Sequence, residues 1–408
     1  MDALTIKSCE IANNQISILY KVEGRLQKYI NPNTPFILEY SESIQEVPKN
    51  IAVIPFIADI LPLIWLTDGE LHIDELDENF YNSIDDFKKG YITMYPMLKF
   101  KGRICVKKII KNNIKDTNNV AAFFSGGVDA LATLIAHFNE KPLLITLWGA
   151  DIKLDDTNGW KYTEQRIQSI ANTFKLKNVF VRTNFRSILN EKQIPALIKN
   201  SQDNWWHGFQ HGIGIISHAA PLAYTHQLSN IYFASSFTIK DKGKVTCASD
   251  PTIDNFIRMC NSKVTHDQYE YTRQEKVRHI CDFVKKYNIT FPIHVCWITS
   301  GGKNCCHCEK CYRTMFALFA EGVDPKNYGF NYTEKDLRNS YHLLKYYMSF
   351  RYKPIQKRFQ ENKNAIINDH IKWICSCDID KMSKPTLRKK IYFIYKRILI
   401  KVKSIVNK

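Results

Sequence analysis

At 408 residues, 45% of them hydrophobic, the chain is long enough for two or three domains and too apolar for global disorder. It has no uninterrupted run of roughly 20 apolar residues, the length that crosses a bilayer. The nearest run, 51–66, is broken by Pro55, Asp59 and Pro62, which argues against a membrane-spanning helix. The formal charge of +17 is unevenly spread. Residues 1–116 hold 14 Lys/Arg against 16 Asp/Glu, and residues 331–408 hold 19 against 6, so the basic character is mainly C-terminal. The opening MDALTIKSCE has no basic-then-apolar leader, from which a cytoplasmic protein is expected. Of 12 cysteines, five fall within 296–311. Such clustering in a long chain points to metal binding rather than a disulfide scaffold.

In chain order, residues 16–20 and 35–40 read as strands, with a turn at Asn31-Pro32-Asn33. Residues 54–66 are apolar and expected to be buried, and the acidic stretch 74–87 reads as a helix. No chemistry is evident here, so residues 1–116 are expected to form a mixed α+β domain with a structural or gating role. The polar run 111–119 reads as a linker. From Val120, apolar runs at 120–124, 143–147, 179–182, 231–234 and 293–297 alternate with helical stretches at 130–138, 163–174, 212–226 and 271–287. That alternation predicts an α/β domain over 117–330, a doubly wound parallel sheet of roughly five strands with ligands outside their carboxyl ends. Residues 331–408 read as a basic helical region.

Ala121-Ala122-Phe123-Phe124 runs straight into Ser125-Gly126-Gly127-Val128-Asp129, and an apolar helix follows at once. Two glycines let the backbone turn sharply and approach a ligand. The N–H groups of the loop and first helical turn then converge on one spot, an anion site reinforced by the helix dipole. A plain strand-to-helix turn is the alternative, with Asp129 near the helix start where acids are favoured anyway. Without Gly-Lys-Ser/Thr this is not a Walker loop. The strand, the SGG-x-D sequence and the helix resemble the PP-loop of the ATP-pyrophosphatase superfamily. That resemblance implies a PP-loop fold binding ATP at Ser125, Gly126, Gly127, Val128 and Asp129, with Mg²⁺ near Asp129. It also implies attack of a substrate oxygen on the α-phosphorus, giving an adenylate and pyrophosphate. The family motif usually ends Asp-Ser, whereas here it ends Asp129-Ala130.

Cys296 closes an apolar segment, and Cys305, Cys308 and Cys311 follow as two overlapping Cys-x-x-Cys steps. Four thiolates suit a structural Zn²⁺ and also an iron–sulfur cluster, while a redox dithiol would need only two. Cys306 is a spare that could replace Cys305. The stretch 296–313 resembles the zinc motif of 7-cyano-7-deazaguanine synthases, which are themselves PP-loop enzymes, and this favours Zn²⁺. The two resemblances together cover about residues 118–325 and imply the superfamily without choosing a substrate.

Further stretches admit two readings each. Gly149, in Leu147-Trp148-Gly149-Ala150-Asp151, would allow adenine to approach, or simply make a turn. Two histidines and two glycines in 205–212 suggest a ligand contact, or helix-start packing. Ser235, in Ala234-Ser235-Ser236, permits ligand approach, or caps a helix. The polar stretch from Ser249 through His266-Asp267 to Arg273, Glu275 and Lys276 would supply cations to the triphosphate, with Arg273 and Lys276 the catalytic candidates, or make helix-face ion pairs. In 384–408, Leu387, Ile391, Ile394, Tyr395, Ile398, Val402, Ile405 and Val406 form a helical stripe between lysines and arginines. Such a helix docks on the protein, on anionic lipid at the inner membrane face, or on RNA phosphate. The function expected is adenylation of a small-molecule carboxylate or amide for a nitrogen nucleophile, in deazapurine or surface-glycan biosynthesis. The alternatives are a tRNA-modifying enzyme and a non-catalytic ATP-binding protein.

Overall fold

The computed structural model describes residues 2–112, 115–299 and 302–406. It divides into two compact units, one of residues 1–271 with 300–302 and the other of residues 272–299 with 303–408. The linker expected at 111–119 falls inside the first unit, and the expected boundary at 330/331 falls inside the second.

The first unit holds eleven strands in one sheet: β1 Ala3–Ala12, β2 Gln15–Glu23, β3 Phe36–Tyr40, β4 Glu70–Asp77, β5 Arg103–Ile110, β6 Val120–Phe123, β7 Leu143–Trp148, β8 Asn178–Thr183, β9 Asn230–Ala234, β10 Arg258–Met259 and β11 Ser262–Asp267. Their order is β10-β11-β9-β6-β7-β8-β3-β2-β1-β4-β5. The stretch β11-β9-β6-β7-β8 is parallel throughout. Every residue of β6 is buried, as in sheets covered on both faces. Numbered along the chain, these five strands run 3-2-1-4-5 across the sheet, the doubly wound order. The order reverses between β6 and β9, so a ligand crevice belongs at their carboxyl ends.

The N-terminal strands continue this sheet instead of folding apart. β3 pairs antiparallel with β8, Leu38 opposite Thr183, and β2 then alternates buried with more exposed residues as a one-sided strand does. One apolar cluster runs from Leu4 through Val181 to Val264. The helix Ile54–Thr67 is buried along nearly its whole length, as its composition implies.

Two expectations are corrected. Residues 293–297 are not a strand, and β11 supplies the fifth parallel strand instead. Of the acidic stretch 74–87, residues 74–77 end β4, and the helix is Glu78–Met94, capped by the Asp77 carboxylate accepting from the Phe80 N–H. The second unit is helical among its described residues, built on helices Arg273–Tyr287, Glu309–Ala320, Glu334–Tyr347, Lys353–Glu361 and Leu387–Val406.

Candidate functional site

β6 and the residue after it bring two buried side chains, Phe123 and Phe124, to the sheet's carboxyl edge, and the next residue, Ser125, is exposed. Gly126 then takes a left-handed conformation, φ +73°, which a glycine adopts without strain. Gly127 caps the helix Val128–Ala136 in extended backbone, and its N–H donates to the Ser125 hydroxyl at 3.4 Å. The first-turn N–H groups of this helix have no intrahelical acceptor. Asp129 lies half-buried in that turn, and Ala130, where the family motif usually has serine, is 7% exposed.

The helix Thr157–Phe174 packs against the loop. A Cβ on Gly126 would lie 3.3 Å from Ile167 and 3.5 Å from the Arg166 Nε. Burial pushes the Arg166 guanidinium down to about 10, so it stays charged at neutral pH. A convergent set of backbone donors with a fixed cation alongside is what a polyphosphate requires. Sequence reasoning missed Arg166. The available signal was a lone arginine flanking the apolar stripe of Trp160, Ile167 and Ile170.

The neighbouring strand ends complete the edge. Trp148 stacks on Trp160 with centroids 5.1 Å apart, and its indole N–H donates to the Lys153 carbonyl. Gly149 has φ +114°, and a Cβ there would lie 1.9 Å from the Thr183 carbonyl, so close packing of β7 on β8 already demands glycine. Ser235 is fully buried after β9, its hydroxyl donating to the Phe237 carbonyl at 2.6 Å. The stretch 249–267 is mainly structural. Asp250 caps the turn Pro251–Asp254, and Asp254 pairs with His266 at 2.8 Å, both side chains buried.

Arg273 and Lys276 open the helix Arg273–Tyr287 of the second unit, half-buried and fully buried respectively, behind a capping box of Thr272 and Glu275. The same unit brings Cys296, Cys305, Cys308 and Cys311 together, their four sulfurs all within 4.8 Å of one another. Cys308 caps the helix Glu309–Ala320 and accepts from the Cys311 N–H. The Cys296–Cys308 and Cys305–Cys311 sulfur separations are 4.0 and 3.9 Å. Zinc–sulfur bonds of about 2.3 Å in a tetrahedron put sulfurs about 3.8 Å apart. The cluster therefore fits a single metal ion such as zinc. Cys306 has φ +60° and its thiol donates to the Asn304 carbonyl, so Cys305 is the cysteine turned inward with the other three. In the first unit, Glu70, His72 and Cys105 also bring ligand atoms together, though Arg103 and His72 already engage the Glu70 carboxylate.

Among the described residues no helix is long and apolar enough to cross a membrane. In the helix Leu387–Val406, Leu387, Ile391, Ile394 and Tyr395 are exposed. The face bearing Tyr392 meets the helix Glu334–Tyr347, where Tyr392 stacks on Tyr346 at 4.0 Å. The side chains of Ile398, Val402, Ile405 and Val406 lie outside the described residues. A scan of protein-family models gives no match to this chain, and neither does a search of curated proteins.

Proposed function

We propose that the chain is an ATP-dependent adenylating enzyme of the PP-loop ATP-pyrophosphatase kind. It activates a small-molecule carboxylate or amide oxygen for attack by a nitrogen nucleophile. One observation carries this reading: the Ser125-Gly126-Gly127-Val128-Asp129 loop leaves β6 where the strand order reverses, with Gly126 left-handed and Arg166 beside it.

The backbone N–H groups of 125–129 hold the β,γ-pyrophosphate, and Asp129 is the residue that would hold Mg²⁺. Arg166, from the same unit as the loop, takes the cation role that the sequence suggested for Arg273 and Lys276. The Gly149 edge and the Trp148–Trp160 stack receive the adenine. The substrate oxygen attacks the α-phosphorus as the bond to the bridging oxygen of pyrophosphate breaks. The nitrogen nucleophile then displaces AMP. Fixed donors aimed where phosphoryl charge develops supply the main stabilisation. In the second unit the four cysteines hold a structural Zn²⁺.

The test is ATP turnover by full-length protein with cell metabolites, and separately with tRNA. AMP and pyrophosphate appearing with metabolites support the reading. Turnover only with tRNA makes the substrate an RNA base, and ADP with inorganic phosphate contradicts the mechanism. We further infer that residues 384–408 attach the enzyme to an anionic membrane surface. The exposed Leu387, Ile391, Ile394 and Tyr395 support this, because packing on the protein uses a different face.

A further inference from the structure

The nucleotide reading leaves Trp205–Gly212 without a task, and this stretch meets residues 246–248 in a second reactive cluster. Residues Trp206–Gln210 form a π-helical turn, a rare insertion frequently found at functional sites. His207 Nδ1 lies 3.1 Å from a carboxylate oxygen of Asp203. Asp203 is itself fixed: Tyr95 donates to it at 2.8 Å, Thr246 at 2.7 Å and the Asn204 N–H at 2.8 Å.

Two backbone contacts bring Cys247 to the imidazoles. The Ala248 N–H donates to the His207 carbonyl at 2.8 Å. Gly212 lies so close to the Ala248 carbonyl that a Cβ would be 2.2 Å from it. Cys247 lies between Thr246, which donates to Asp203, and Ala248, so its thiol is set beside the imidazoles of His207 and His211. Cys247 is 6% exposed, whereas the His207 side chain is 37% exposed, so the cluster opens to solvent on that side. His207 meets Phe237 just after β9, and His211 meets Phe233 within it. The cluster therefore sits at the carboxyl edge of the parallel strands.

The electrostatics differ from those of an ordinary buried thiol. Burial, the largest influence, pushes Cys9 up to about 12. At Cys247 burial pushes the same way, but the neighbouring His207 and His211 imidazoles outweigh it and hold the thiol down to about 7. The Asp203 carboxylate, and then Cys247, raise His207 to about 10. Besides these groups, Tyr91 and Tyr95 face Cys247 from the end of the Glu78–Met94 helix, and Asp151 and Asp254 act on His211. A thiolate–imidazolium pair backed by a carboxylate is the arrangement of an activated nucleophile.

We propose that Cys247 is the nucleophile of an acyl-transfer reaction, with His207 as its acid and base and Asp203 as the residue that positions His207. The substrate class is an activated carboxyl compound, an ester or mixed anhydride. The thiolate attacks the carbonyl carbon and a C–S bond forms. The bond from that carbon to the leaving oxygen breaks, and the oxygen departs with the electron pair and the proton of His207. Water or an amine then attacks the thioester and gives a proton to His207, and the C–S bond breaks to restore the thiolate. No electrons are gained or lost overall. An acyl adenylate is one such compound, but the step requires no ATP.

The test treats full-length protein with p-nitrophenyl acetate and maps the acetyl group by peptide mass spectrometry. An acetyl group on Cys247, removable by hydroxylamine, is expected, with a labelling rate that rises around pH 7. In His207→Gln and Asp203→Asn, checked for folding by thermal melting, that rise is expected to move to higher pH. Cys247→Ser is expected to lose the label. Absence of acetyl on Cys247 in the wild-type protein overturns the proposal, as does labelling whose pH profile is unchanged in both His207→Gln and Asp203→Asn. ATP binding measured on the same protein tests the nucleotide site separately, so either reading can fail without the other.

Discussion

Arg166 is held against the 125–129 loop although burial opposes its charge. Replacing it with alanine is expected to weaken ATP binding roughly 10- to 100-fold, the worth of a hydrogen-bonded ion contact of about 1.5–3 kcal/mol. Isothermal titration checks this, and Arg166→Lys should recover only part, because lysine lacks the planar fork. A second residue sets acid sensitivity. His218 is fully buried, with Nε2 3.0 Å from the Thr183 hydroxyl, and burial lowers it to about 4. The unfolded chain takes up this proton near pH 6.5 and the folded chain only near 4, so stability falls as pH drops through that window. The full difference is about 3 kcal/mol. Urea midpoints from pH 7 to 4 should show a shallower decline in His218→Gln, and parallel curves would refute the assignment. These residues also show what the sequence conceals. The strand, turn and helix around SGG-x-D were legible because they are contiguous. Arg166 was not, because only the fold brings a helix 40 residues downstream onto Gly126. Asp203 and His207 are a local pair four residues apart, but Cys247 reaches them only through the same kind of long-range contact.

Among the elements, the described residues of the segment 288–308 form no helix or strand, and the cysteines gather them. The protein is expected to contain about one zinc per chain, and Cys308→Ser with Cys311→Ser to lose it and lower the melting temperature. Full zinc retention by the double variant, read by elemental analysis, would overturn the ligand set. The same segment explains the misplaced strand. Residues 293–297 have the apolar content of a strand, but Asn304 binds their backbone, accepting from the Val295 N–H and donating to the Ile293 carbonyl. The four-cysteine spacing was legible because it is local. At the C-terminus, periodicity revealed the helix and its stripe, and only packing revealed which face the protein covers. Each basic residue near an anionic surface contributes about 1 kcal/mol, lost as salt rises. Full-length protein is therefore expected to sediment with anionic vesicles at low salt, and a chain ending at Lys381 to stay in solution. Equal partitioning would remove the helix as an anchor.

For the whole molecule, the decisive feature is a sheet that changes character along its width. Four of its five central parallel strands were legible from residue 120 onward, because strands buried on both faces read as continuous apolar runs, whereas the polar β11 was not. That residues 1–110 extend the same sheet was not, since the Leu38–Thr183 pairing is a contact across 145 residues. The order 3-2-1-4-5 places a crevice at the ends of β6 and β9, and the claim that ATP phosphates sit there rests on Gly126 above all. A β-branched residue at φ +73° is strained, and its side chain would press on Ile167 and Arg166. The direct measurement is ATP affinity of the wild-type protein and of Gly126→Val, with thermal melting to confirm that the variant is folded. Saturable binding by the wild-type protein and its loss in the folded variant are expected. Equal affinity in the two, or no binding by the wild-type protein, would contradict a phosphate site at this loop.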